Sequence, residues 1–163
     1  MPLSTSDGES FTLTSATKCE RNILARLRQS NATKQLFHEL WRERAAIEQV
    51  VAHHLRLDKD SSCQVQGTNT WLMGQFNVCI IVHVCRDGAM TSKMVFRFPV
   101  PHKVGEQHSP GAMDGKLRAE VATYAWIEAN CPEVPIPGLR GFGLSPSLQV
   151  TSRDYARRYS VHR

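Results

Sequence analysis

Between Cys63 and Pro99 the apolar residues change from helical spacing to alternation, and an Asp87-Gly88 step sits in the middle of the stretch. A chain written this way has to build an antiparallel sheet. Asp-Gly is the strongest short-range hairpin signal, because both central positions of a type I′ turn need a positive φ. On one side of the turn lies Asn77 to Val84, with too many consecutive apolar residues for a strand with one wet face. On the other side lies Ser92 to Pro99, in which alternation turns Arg97 away from Phe96 and Phe98. Before both, Cys63, Val65, Trp71 and Met73 suggest an irregular first strand, which ends in the glycine turn Met73-Gly74-Gln75-Phe76-Asn77.

Helical spacing flanks this sheet. Residues 18–29 predict a short helix with Ile23, Leu24 and Leu27 on one face. Asn31 reads as the N-cap of a longer one, 32–55, whose stripe runs through Leu36, Phe37, Leu40, Trp41, Ile47, Val50, Val51 and Leu55. His53 and His54 suit the negative end of that helix, and adjacent positions point in different directions, against a shared metal. After the sheet, Pro101, Gly105, Pro110 and Gly111 mark residues 100–113 as a loop. Asp114 then reads as the cap of a helix over about 115–130, whose face is Leu117, Val121, Tyr124, Ala125 and either Glu128 or Ile127. Pro132 stops it. Val134 to Pro137 reads as extended, and Gly141-Phe142-Gly143 as a turn or a close approach of backbone.

At 163 residues, with 41% hydrophobic and 21% charged residues, the chain has the balance of one ordinary globular domain. Residues 1–17 are small, polar and aperiodic and read as disordered. The net charge is +5, and Arg153, Arg157, Arg158 and Arg163 against Asp154 supply +3 of it from a short tail. That tail has little aromatic interleaving and reads as solvated, which disfavours nucleic acid as a partner. Five scattered cysteines without CxxC or zinc spacing fit a reducing cytoplasm, and Cys79 reads as a small buried hydrophobe. No apolar run has membrane-spanning length, so no membrane partner is expected.

Three residue types in order could carry chemistry. Gly74, with Gln75, Phe76 and Asn77, lets backbone amides turn over a ligand. Arg97, on a largely apolar strand, either needs an anion or a carboxylate or sits on an edge strand where it simply faces water, and the strand alone leaves both open. Glu120, on a helix that would cross the strands, could hold Arg97 in place; the competing assignment is a surface glutamate paired with Lys116 one turn away. Backbone over phosphates, a cation on them and an anion fixing the cation is the order in which a nucleoside triphosphate is held. Trp71 and Phe76 are expected to pack rather than stack on a base. His102, Lys103, Lys116 and Arg118 are read as serving solubility.

The stretches Trp71–Val84, Phe96–Glu106, Lys116–Trp126 and Cys131–Leu144 resemble fungal members of the aminoglycoside phosphotransferase, or choline-kinase-like, family. The resemblance covers roughly residues 32–145. It implies an α+β fold: a protein-kinase-like small lobe over 58–145, an antiparallel sheet with a packed helix. A helical extension precedes it over 18–57, and a divergent basic tail follows over 146–163. By the same resemblance Gly74 to Asn77 cover phosphates, Arg97 stands where kinases place a strand lysine, Glu120 is its helix partner, and Leu139 to Leu144 approach the hinge that contacts adenine. The family's His-x-Asp loop and metal-binding aspartate belong to a large C-terminal lobe. Asp87 and Asp154 do not supply them, so the reading is of a truncated, catalytically incomplete phosphotransferase that binds ATP weakly. Magnesium and a small-molecule acceptor would belong to a complete relative. The alternative is a non-catalytic module that docks on another protein through the exposed lobe face.

Overall fold

The computed structural model describes residues 3–4, 10–17, 23–86, 88–145 and 148–151. Asp87, Asp154 and the basic tail from residue 152 onward lie outside the described residues. The chain divides into two compact units, Met1–Arg44 and Ala45–Arg163.

In the first unit β1 (Leu3–Ser4) pairs antiparallel with β2 (Ser10–Phe11), and α1 (Leu13–Thr17) follows. Regular structure therefore stands where the sequence reads as disordered. The local cause at α1 is a reciprocal cap: Ser15 N donates to Thr12 Oγ1 at 3.2 Å and Thr12 N to Ser15 Oγ at 2.9 Å. α2 (Ile23–Arg42) runs straight through Asn31, which is exposed and interior to the helix rather than its cap. An exposed Asn costs a helix only a few tenths of a kcal/mol, about 0.7 at most, too little to interrupt a stripe that buries Leu36 and Leu40. The single helix expected over 32–55 is also divided. Arg44 Nη1 donates to Trp41 O at 3.1 Å, and its guanidinium lies 5.0 Å from the Trp41 ring centre, so a side chain meets that carbonyl at the turn through Glu43.

The second unit starts at Ala45, inside α3 (Arg44–Leu55), which buries Ile47 and Val51. The sequence assigns this segment to an extension, yet it belongs with the sheet. Glu48 Oε1 accepts from Val65 N at 2.8 Å, so the helix supplies an acceptor to the edge strand. α3 ends in a left-handed residue, Arg56, with Leu57 N donating to Ala52 O at 3.0 Å and Arg56 N to His53 O at 3.1 Å. The irregular first strand is resolved into β3 (Ser61–Val65), a 3-10 turn (Thr68–Thr70) and β4 (Leu72–Met73). Both strands pair with β5 (Asn77–Arg86), which also pairs with β6 (Ala89–Pro99), so β5 is central.

Val78, Ile80 and Val82 on one face of β5 have no exposure, and Val84 almost none. The other face, through Cys79, Ile81 and His83, is only half-buried, in contrast to the fully covered strand that its composition suggests. Cys79 is accordingly half-buried rather than a core residue. Trp71 is buried and donates from Nε1 to Gln66 O at 2.8 Å, as a packing residue should. Phe76 differs: it is 42% exposed. Cys63 is half-buried, and burial, with Glu48 and Cys85 nearby, pushes its thiol pKa up.

The loop after β6 contains a one-turn helix, α4 (Pro101–Val104), before α5 (Ala112–Asn130). Asp114 is not the cap. Gly111, at φ 90°, precedes the helix, and the carboxylate of Glu106 accepts from Gly111 N and Met113 N, each at 2.7 Å. These two bonds, Gly111 first, hold the Glu106 carboxyl below its ordinary range. Its stabilising contribution is complete above the unfolded carboxylate value and is lost as pH falls through the depressed folded one. The melting temperature is therefore expected to fall more steeply on acidification in the wild type than in Glu106→Gln; parallel pH profiles would exclude Glu106 as the cap.

Asp114, in the first turn of α5, instead accepts from Ser145 N at 3.1 Å with both oxygens. β7 (Gly141–Leu144) pairs antiparallel with β8 (Leu148–Thr151). Residues 148–151 are thus part of the folded unit, although the sequence places them in a divergent tail; Val150 lies opposite Phe142 and is buried. The described residues form an α+β protein with antiparallel sheets. Among them no helix is long and apolar enough to cross a membrane.

Candidate functional site

Register decides which side chains share a face. Directly opposite residues in an antiparallel ladder point the same way. Leu72 is opposite Cys79, and Cys79 is opposite Arg97; Ile81 is opposite Val95. These five form the less buried face of the sheet, where Leu72 is 64% and Val95 57% exposed. Phe96 and Phe98 lie opposite Ile80 and Val78 on the buried face, so Arg97 is turned away from both, as the alternation requires. An apolar strip therefore leads to a cation.

Arg97 meets the helix at this end of the face. Its Nη1 lies 4.0 Å from Glu120 Oε2 on α5. Glu120 Oε1 also accepts from Lys116 Nζ, one turn earlier on the same helix. The two partners considered for Glu120 from sequence, Arg97 and Lys116, are thus both present. Asn77, buried at the start of β5, completes the group. With its amide oxygen toward the cations, it accepts from Arg97 Nη2 at 2.8 Å and from Lys116 Nζ at 3.3 Å, while its nitrogen donates to Phe76 O at 3.1 Å. The opposite orientation offers one bond, to Glu120 Oε1 at 3.3 Å, and turns the nitrogen toward donors. The network selects the first.

Burial alone would raise the Glu120 pKa. The Lys116 hydrogen bond and the charges of Arg97 and Lys116 act in the opposite direction. Two cations against one carboxylate leave the cluster with one positive charge, and the Arg97 side chain is 43% exposed. Such an exposed pair contributes no more than about 1 kcal/mol to stability. Its chemical capacity is to bind an anion.

The glycine turn contributes differently from expectation. Gly74 N donates to Asn77 O at 2.8 Å, so its amide closes the turn and is not directed at a ligand. Its φ is not in the left-handed region; a Cβ there would meet Asn77 O at 3.2 Å. Gln75 and Phe76 are exposed at the turn. Of the residues singled out from sequence, Asn77, Arg97 and Glu120 are brought together, and Gly74, Gln75 and Phe76 shape the bend above them. Sequence reasoning missed Lys116 as a member, and with it Leu72, Ile81 and Val95. Counting back two residues from Arg97 would have found Val95 on its face.

A concavity of about 590 Å³ lies elsewhere, lined by Gln49, Ala52, His53, Arg56, Leu57 and Thr151. It contains none of the cluster residues. Among the described residues no group of three histidine, cysteine or acidic side chains is placed to hold a metal ion. Compared with protein-family models, curated proteins and solved structures, the chain matches none.

Proposed function

We propose that this chain is the nucleotide-holding small lobe of an ATP-dependent small-molecule phosphotransferase of the aminoglycoside phosphotransferase or choline-kinase-like kind. One observation carries the reading: a strand arginine and a helix glutamate, remote in sequence, lie 4.0 Å apart at the end of an open apolar strip. The order of elements supports it as well: glycine turn, strand, hairpin, cation-bearing strand, anion-bearing helix. In kinases a strand cation fixed by a helix carboxylate grips the phosphates beneath a glycine-bearing loop. Here the adenine would lie on Leu72, Ile81 and Val95, with its phosphates toward Arg97.

The residues fit phosphate better than they fit magnesium. Among the described residues Glu120 is the one carboxylate placed in the cluster, and Lys116 and Arg97 already engage its charge. The expected behaviour of the 163-residue chain is binding without turnover. Calorimetry should detect ATP at a dissociation constant of about 1 mM or somewhat tighter. Arg97→Ala should weaken it about tenfold or more, as expected for loss of a charge-assisted contact; Glu120→Ala should weaken it less, since that residue only positions the cation. Unchanged binding in Arg97→Ala would sink the reading. Phosphoryl transfer by the chain, abolished by Glu120→Ala, would show it to be a complete enzyme.

The exposure of Leu72 and Val95 favours one alternative, a module that docks on another protein through this face. That alternative requires no nucleotide, and Leu72→Lys would abolish docking while leaving Arg97 in place.

A further inference from the structure

The geometry points to Lys116 as a second phosphate-gripping cation, which gives the site a preference for a phosphate chain over a single phosphate ester. This inference rests on the nucleotide reading above and adds a residue to it. In sequence Lys116 is unremarkable. It precedes Glu120 by one helical turn, and Lys before Glu is the weaker order for such a pair. A lysine serving only solubility keeps its side chain in water, whereas that of Lys116 is 22% exposed. Its ammonium group reaches across to β5. Lys116 Nζ lies 3.3 Å from Asn77 Oδ1, the same oxygen that Arg97 Nη2 meets at 2.8 Å.

Two cationic heads therefore converge on one amide oxygen and share one carboxylate. Like charges gathered in this way repel unless a further anion joins them. Both retain donors for that anion. The ammonium has three and the guanidinium five, more than Asn77 and Glu120 accept. Their chemistries divide the work: the planar fork of Arg97 orients one phosphoryl group, and the ammonium of Lys116 follows the charge of its neighbour. A monophosphate satisfies one head, and a diphosphate or longer chain satisfies both.

Titrations with pyrophosphate, AMP and ATP, followed by NMR shifts and calorimetry, test this on the intact chain. Lys116→Gln should weaken pyrophosphate and ATP about tenfold or more, in the range of a lost charge-assisted bond, with AMP nearly unaffected. The ATP affinity of Lys116→Gln should also depend less on salt, and Lys116→Arg should recover most of the loss. If Arg97→Ala loses ATP while Lys116→Gln keeps it or tightens it, Lys116 is only an intrahelical partner of Glu120 and the inference falls, with the nucleotide reading intact. If pyrophosphate binds in a Lys116-dependent way but ATP binds no better, the inference holds as an oxyanion site and the nucleoside part of the reading falls. If neither ligand binds, both fall.

Discussion

Replacing Ile80 by Ala is expected to lower the unfolding free energy by about 2–5 kcal/mol, whereas Val95→Ala should stay within about 0.5 kcal/mol of wild type. The two residues lie on neighbouring strands and differ in the face they occupy. Ile80 is in the central strand, opposite Phe96, and has no exposure. Removing its branched side chain leaves a cavity beneath a strand that is paired on both sides and cannot collapse freely. Val95 is opposite Ile81 and is 57% exposed, so truncation removes little buried area. Urea unfolding of both variants, with unchanged m-values, makes the comparison. The contrast matters for function because Arg97 shares the face of Val95. A large loss at Val95 with a small one at Ile80 would put Arg97 on the buried side and remove the anion site.

The hairpin and the faces of its strands were legible in the sequence because alternation and an Asp-Gly step are local signals. Arg97 and Glu120 could be paired for a related reason: a cation on an apolar strand and an acid on a nearby helix both need partners, and the fold supplies few. What could not be read depends on contacts distant in sequence or on competing donors. Glu106 caps α5 from five residues upstream of Gly111, a distance at which no capping pattern is recognisable. Asp114, the better cap by pattern, is used to hold Ser145 N instead. The break at Glu43 depends on where the Arg44 guanidinium goes. The grouping of α3 with the sheet depends on Glu48 finding Val65 N, and spacing along the helix contains no trace of that bond. Lys116 was hidden by a plausible local partner, Glu120, which it does contact; its second contact, to Asn77, is the one that changes its role.

Gly141→Ala is expected to cost about 1–3 kcal/mol, the range for forcing an extra methyl group into a packed site. A Cβ at Gly141 would fall 2.4 Å from His54 Nδ1, 2.6 Å from its Cγ and 2.8 Å from its Cε1. The dihedral angles of Gly141 do not require glycine, so space is the cause. The overlap is with the base of the imidazole ring as well as its rim, and His54 sits on α3 with Nδ1 buried, so neither side can swing away at little cost. The close approach of backbone expected at Gly141-Phe142-Gly143 is thus made to a helix side chain. In the double variant His54→Ala, Gly141→Ala, the methyl group occupies the space vacated by the ring. The double should be more stable than the sum of the singles implies by about 1–2 kcal/mol, a coupling typical of residues in direct contact. Additive losses would mean that His54 does not lie against β7. The same variants bear on the site through one further link. The β7 strand ends at Leu144, and the next residue, Ser145, is held by Asp114 in the first turn of α5, the helix that carries Lys116 and Glu120. Displacing β7 from α3 therefore strains the anchor of the anion-bearing helix. If the cluster holds a nucleotide as proposed, ATP affinity should fall in Gly141→Ala and return in the double variant, although neither residue touches the cluster.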